Sequence, residues 1–236
     1  MGCPTPACHR SKGSLVSDER RDGVASSTGA SASGNRDTAR RLLTAAANSD
    51  AVVSALIREI SGDESTIGSL LAAAINDPDR LAALRRTRLL DSGPSSALDN
   101  FAALTAEAVG APYAAISLVD KDTQTFAGCT VTDGSLPRQF GLEYSVCKFT
   151  VAVGNLLVVD DAATHPLLAD HPMVRGGVIR AYIGVPLADG RGHAVGTLCC
   201  SDNQPHHWTT GQIQILRDLG HVLASRIFDP HANEAG

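Results

Sequence analysis

The sequence predicts an α+β fold, with one central antiparallel sheet and helices packed against a face. Three observations predict it. Apolar residues recur at helical spacing up to about residue 112, shift to short strand-like runs between 113 and 202, and return to helical spacing in one closing segment.

The first helical pattern is Val53, Leu56, Ile57 and Ile60, spaced i, i+3, i+4, i+7; "SGDEST" then breaks it, with Gly62 as the stop. The spacing returns at Ile67, Leu70, Leu71 and Ala74. Two short amphipathic helices need a surface to cover, either the main domain or a second copy of the chain. "NDPDRLAALRRTRLLDSGP" predicts a further helix ended by Gly93-Pro94, and "SSALDNFAALTAEAVGAP" another with Leu98, Phe101, Leu104 and Ala108 as its stripe.

The period then changes. "YAAISLVD" and "TQTFAGCTV", separated by "KD", predict a hairpin. A loop in "TDGSLPRQFGLEYS", a brief helix in "VCKFTVAVG" and a strand in "LLVVDD" follow. "AATHPLLADHPMVRG" reads as a polar, proline-broken segment with one or two helical turns. The strands "IRAYIGVPL" and "HAVGTLCCSD" flank the turn "ADGRG". In the closing helix Leu216, Leu219, Val222, Leu223 and Ile227 define one face, and Thr209 with Gln212 matches a capping box.

Composition sets the organisation. The 236 residues are 43% hydrophobic and 19% charged, ordinary for a globular chain, but residues 1–36 offer almost nothing to bury and read as a disordered tail. The expected units are that tail, a helical extension over 37–76, a main domain over 77–228 and a C-terminal tail over 229–236. The net charge of −5 comes without a basic cluster, which argues against nucleic acid. No apolar run is long enough for a membrane span, and the N-terminus lacks the apolar core of a secretory signal. The expected compartment is the cytoplasm, where thiols stay reduced. Cys3, Cys8, Cys129, Cys147, Cys199 and Cys200 therefore read as free thiols. Cys3, Cys8 and His9 lack the second pair that a metal clip needs, so no metal site is expected.

Three blocks carry a resemblance: "RLAALRRTRLLDSGPSSALDNFAALTAEAVGAPYAAISLVDKDTQTF", "YSVCKFTVAVGNLLVVDDAATHPLLADHPMV" and "AYIGVPLADGRGHAVGTLCCSDNQPHHWT". In order and spacing they resemble the GAF domain, a small ligand-sensing module, over roughly Asp77 to Phe228. Their wording is most similar to GAF modules of actinobacterial signalling regulators. The resemblance implies a sheet of five or six strands, N- and C-terminal helices on one face, and a cavity on the other beneath the segment between "VVDD" and "IRAY". Candidate cavity residues are Tyr144, Cys147, Asp161, His165, His171, Tyr182 and Cys200. Since no output domain follows Phe228, the expectation is a standalone sensory or regulatory module rather than an enzyme. It would bind a small molecule of unknown identity, or relay a signal through homodimerisation and an unidentified signalling protein.

The free methionine-(R)-sulfoxide reductase branch needs an attacking cysteine in the segment leading into the strand matched by "VRGGVIRAYIGVPL". This chain has no cysteine between Cys147 and Cys199. Bilin carriers use a cysteine where "LLADHPMV" has Asp170-His171, and the Asn-Lys and Asp-Glu pattern of cyclic-nucleotide modules is missing. Haem would need an axial histidine; His165 and His171 are each followed by proline and read as surface loop. Cys147 stands near a predicted helix start beside Lys148, features that lower a thiol pKa. Burial is the commoner fate of a cysteine, so core or pocket wall is the favoured reading. The alternative is a thiol-based redox enzyme or switch in which Cys147 works with Cys129, Cys199 or Cys200. Cys199 and Cys200 must point to opposite faces of their strand, so only one of them meets the cavity.

Overall fold

The computed structural model describes residues 64–229, together with Thr44. The expected tail over 1–36, the amphipathic segment at 53–60, its stop at Gly62, and Cys3, Cys8 and His9 lie outside the described residues. So does the chain beyond Asp229.

From residue 64 the described chain runs through three helices, α1 (Glu64–Ile75), α2 (Pro78–Arg86) and α3 (Ser96–Val109). The strands β1 (Tyr113–Val119), β2 (Thr123–Cys129) and β3 (Gln139–Gly141) follow, then a 3-10 turn over Leu142–Tyr144 and helix α4 (Cys147–Val153). The remainder is β4 (Leu157–Val159), the four-residue helix α5 (Pro172–Arg175), β5 (Ala181–Ala188), β6 (Ala194–Asp202) and the closing helix α6 (Thr210–Phe228). All strand pairings are antiparallel, in the order β3-β2-β1-β6-β5-β4, so the longest strands occupy the centre.

The sheet separates two cores. Alternate residues such as Ile116, Leu118, Ile183 and Leu198 pack against α2, α3 and α6, where Leu84, Val109, Leu216 and Leu223 are buried. The opposite face carries Ala115, Tyr182 and Cys199, which join Phe149, Val151, Val153 and Leu168. Helix α1 lies on that second side, with Ile67, Leu70, Leu71 and Ala74 packed against the cluster that includes α4. The amphipathic surface of α1 is thus covered within this chain, on the face away from the other terminal helices.

Local chemistry fixes the boundaries. The Asp77 carboxylate accepts the amides of Asp79 and Arg80 and opens α2 with Pro78 in its first turn. That helix ends at Arg86, seven residues before the expected stop at Gly93-Pro94. The Thr87 hydroxyl bonds the Leu84 carbonyl, and Arg88 takes a left-handed conformation at φ 55°. Helix α3 closes on Gly110, whose φ of 72° makes it a left-handed cap. The capping box at the start of α6 is present, with Thr209 and Gln212 bonded reciprocally.

Two expected stripes rotate. On α3 the buried line is Ala102, Thr105, Ala106 and Val109, while Leu104 is 63% exposed. Position 104 is six residues from Leu98, or about 240° around the helix at 3.6 residues per turn. Val222 of α6 is exposed for the same reason, six residues from Leu216. Its neighbour Gly220 is buried instead, and a Cβ there would sit 2.5 Å from Val185 Cγ2. The absent side chain is what lets α6 approach β5. Strand β3 falls inside the segment expected as loop; three residues are too short to display a period.

One buried cation ties these layers together. Arg80 is 4% exposed, and its guanidinium donates to the Ile75 carbonyl from Nε (2.8 Å) and Nη2 (2.6 Å), and to the Val119 carbonyl from Nη1 (2.7 Å). Burial lowers its pKa to about 10, which leaves it charged at neutral pH.

Candidate functional site

A cavity of about 400 Å³ opens on the sheet face opposite α3 and α6. Its floor is Ala115 of β1, Gln124 and Phe126 of β2, Tyr182 of β5, and Cys199 and Ser201 of β6. Leu136 and Phe140 close one side, Tyr144, Val146 and Cys147 another, and Met173, Val178 and Ile179 the third. Phe126 and Phe140 meet edge to face at 5.3 Å, which shapes one wall. Among the described residues that line it, none carries a formal charge. The rim is apolar and open, with Tyr113 40%, Tyr144 46% and Val178 51% exposed.

The polar groups are buried and mostly bonded. Ser145 donates its hydroxyl to Gln124 Oε1 in a short contact, and Tyr182 shares a 3.0 Å bond with the Thr150 hydroxyl. Cys147 and Cys199 place their sulfurs 3.7 Å apart, and Cys199 also reaches the Ala115 carbonyl at 3.5 Å. The two thiols titrate as a pair. Donation by Cys199 draws the Cys147 thiol below its ordinary range, whereas the same contact, with burial, pushes Cys199 well above it. Lys148 is not the cause expected from its adjacency. Its ammonium bonds the Leu142 carbonyl at 2.8 Å and lies 5.3 Å from the Phe149 ring.

Of the seven candidates, Tyr144, Cys147 and Tyr182 line the cavity, while Asp161, His165, His171 and Cys200 do not. Asp161 is a latch. It forms a two-point ion pair with Arg180, Nε to Oδ1 at 2.5 Å and Nη2 to Oδ2 at 2.9 Å, closing the base of the 161–180 segment. The arginine holds the Asp161 carboxyl below the usual range. His165 and His171 are buried rather than surface residues, at 4% and 7% exposure. In each His-Pro-x turn the imidazole Nδ1 accepts the amide two residues on, from Leu167 and Met173, at 3.3 Å. The prolines therefore serve inward-facing turns.

Cys200 belongs to the helix-side core, where burial pushes its thiol up to about 12. The reason is a β-bulge. Below the turn Ala188 pairs with Ala194, but from Leu187 onward the register shifts by one, so Tyr182 stands opposite Ser201 and Gly184 opposite Cys199. Without that shift Cys200 would face Tyr182. A one-residue slip exchanges faces along a whole strand, and here it delivers Cys199 to the cavity.

Sequence reasoning missed Gln124, Phe126 and Phe140 as cavity residues, and named Cys129, which also lines the cavity, only as a possible thiol partner of Cys147. The alternation of "TQTFAGC" held the signal for Gln124 and Phe126, since they share a face of β2 ahead of the irregularity that leaves Ala127 without a register partner. The Cys129 thiol donates to the Val131 carbonyl at 3.1 Å. In "PHHW", His206 bonds Asp202 at 3.2 Å and stacks on Trp208 at 4.0 Å, while His207 bonds Asp160 at 2.7 Å. These braces anchor the start of α6. Among the described residues no group of three or more His, Cys, Asp or Glu side chains is placed to hold a metal, and no helix is long and apolar enough to cross a membrane.

The GAF domain family model matches residues 93–227. A cyclic di-GMP phosphodiesterase of Pseudomonas aeruginosa is 30% identical over 150 residues, covering 63% of this chain and 25% of that protein. The chain thus spans about a quarter of the length of that relative. Among solved structures, the GAF domain of an Acinetobacter phosphoenolpyruvate-protein phosphotransferase is 18% identical, with 68% of this chain and 98% of that one covered at a TM-score of 0.47. Free methionine-R-sulfoxide reductase from Neisseria meningitidis, in complex with its substrate, is 22% identical, with 70% and 90% covered at a TM-score of 0.45.

Proposed function

This chain belongs to the GAF domain family, and from that premise we propose that it is a sensory module whose cavity binds a small uncharged molecule. The observation that carries the reading is the cavity of about 400 Å³ whose described lining holds no charged side chain. Its volume falls in the range of small-molecule sites, which are largely apolar with a few placed polar groups. Here those groups are Gln124, Tyr182 and Ser201. An anionic nucleotide would call for Arg or Lys partners. The phosphodiesterase named above acts as a whole protein; for this chain we take the site to bind rather than catalyse. A cytoplasmic setting suits the unpaired thiols Cys129, Cys147, Cys199 and Cys200.

Native mass spectrometry of the purified full chain, followed by denaturation of the same sample, tests the reading. An adduct released on denaturation and missing from Ala115→Phe, which fills the floor, is the expected result. A bare chain in both proteins overturns occupancy.

The signal would leave through α1, α2 and α6, with homodimerisation as the route to an unidentified signalling partner. Leu104, Ile215 and Val222 are the exposed large apolar residues of α3 and α6. Val222→Glu is expected to convert a dimer to a monomer in light scattering, and an unchanged mass removes this face from the interface. Leu219 is a poorer probe because it packs into the helix-side core.

A further inference from the structure

Two features at and beneath the cavity wall stand outside the ligand reading. The sulfurs of Cys147 and Cys199 are in contact at 3.7 Å, and both line the cavity. The hydroxyls of Ser117 and Thr197 are fully buried on the same sheet face, directly opposite one another on β1 and β6. Neither has a conventional hydrogen-bond partner. Buried donors left unpaired call for an explanation. A negative sulfur supplies one, because both hydroxyls lie where they favour ionised Cys147. Of the remaining described cysteines, Cys200 faces the other core, while Cys129 lines the same cavity with its thiol bonded to the Val131 carbonyl and its pKa raised by burial.

We propose that Cys147 and Cys199 are a modification site, oxidised to a disulfide in the cavity wall by a hydroperoxide that enters through the cavity. The Cys147 thiolate sulfur attacks the terminal oxygen of the hydroperoxide. A sulfur–oxygen bond forms, the oxygen–oxygen bond breaks, and the departing alkoxide or hydroxide takes up the proton Cys147 had released. The product is a sulfenic acid at Cys147 and one alcohol or water. The Cys199 sulfur then attacks the Cys147 sulfur, and the sulfur–oxygen bond breaks. The hydroxide leaves as water with the proton of the Cys199 thiol. Two thiols are oxidised by two electrons and one peroxide is reduced. Closure takes the sulfurs from 3.7 Å to about 2.05 Å. Cys199 sits on β6, held on both sides by β1 and β5, so the movement falls to Cys147 and the start of α4. The bond draws α4 toward the sheet and narrows the cavity, so oxidation and occupancy compete.

The inference stands apart from the ligand reading, since it requires the cavity only as a path. The test treats the reduced full chain with hydrogen peroxide, blocks residual thiols with iodoacetamide and maps peptides without reduction. The expected result is a loss of two hydrogen masses, a linked pair of peptides containing Cys147 and Cys199, and reversal by dithiothreitol. In Cys199→Ser the linked pair is lost and dimedone labels Cys147; in Cys147→Ser neither product forms. A wild-type chain that keeps both thiols, or links Cys129 or Cys200 as often, overturns the proposal without reference to either variant. Native mass spectrometry scores the ligand reading separately.

Discussion

Replacing Arg80 with methionine is expected to lower the unfolding free energy by about 3–5 kcal/mol. Methionine fills much of the same space but donates nothing. The carbonyls of Ile75 and Val119, now bonded by the guanidinium at 2.6–2.8 Å, would then be buried without a donor. A third, at Ala194, lies at 3.4 Å from the same group. These carbonyls belong to the end of α1, the end of β1 and the start of β6, so one side chain joins three parts of the fold. Arg80→Lys should recover only part of the loss, because a single ammonium cannot serve carbonyls in three directions as a planar fork does. Urea denaturation of the three proteins reads the order directly. A methionine variant as stable as the parent would mean that water or backbone adjustment replaces the guanidinium.

Stability is also expected to fall as pH drops from 6.5 to about 4, by up to about 3 kcal/mol from His171 alone. Burial, helped by the Lys148 ammonium, lowers the pKa of this imidazole from 6.5 to about 4. Over that window the unfolded chain takes up a proton that the folded one refuses, so each step down in pH favours unfolding. Above 6.5 both states are neutral and the full stability is present. Asp99 and Asp161 have pKa values lowered by Arg138 and Arg180 respectively. Their stabilisation is lost only as pH falls below the ordinary carboxylate value of 3.8, which separates the two effects. His171→Asn keeps an acceptor for the Met173 amide and cannot titrate. Denaturation midpoints for the two proteins between pH 7 and 4 should therefore diverge, with the asparagine variant nearly flat. Parallel curves would place the acid sensitivity elsewhere.

The sequence made the architecture legible where a period ran long enough. The β1–β2 hairpin, the two long strands around "ADGRG" and the capped closing helix all read directly from spacing and turn chemistry. Ambiguity arose where large residues masked small ones. Leu104 and Val222 attracted attention, but Ala102, Thr105 and Gly220 occupy the buried lines because helices approach the sheet more closely over small side chains. The site was harder to read. Tyr144, Cys147 and Tyr182 line the cavity, whereas Asp161 forms a latch with Arg180 and the two histidines brace turns. Cys199 displaced Cys200 through a single bulged residue, which strand alternation cannot foresee. Contacts between helix and sheet, such as Cys147 of α4 with Cys199 of β6, join residues 52 apart and leave no local trace.

The outermost strands of the sheet, Gln139–Gly141 and Leu157–Val159, are three residues each. An incoming strand would find only a few free backbone groups on either border, too few to hold a second copy in register. The long central strands, which would make adhesive templates, are already paired on both sides. This layout guards the described sheet against ribbon-like pairing through its edges.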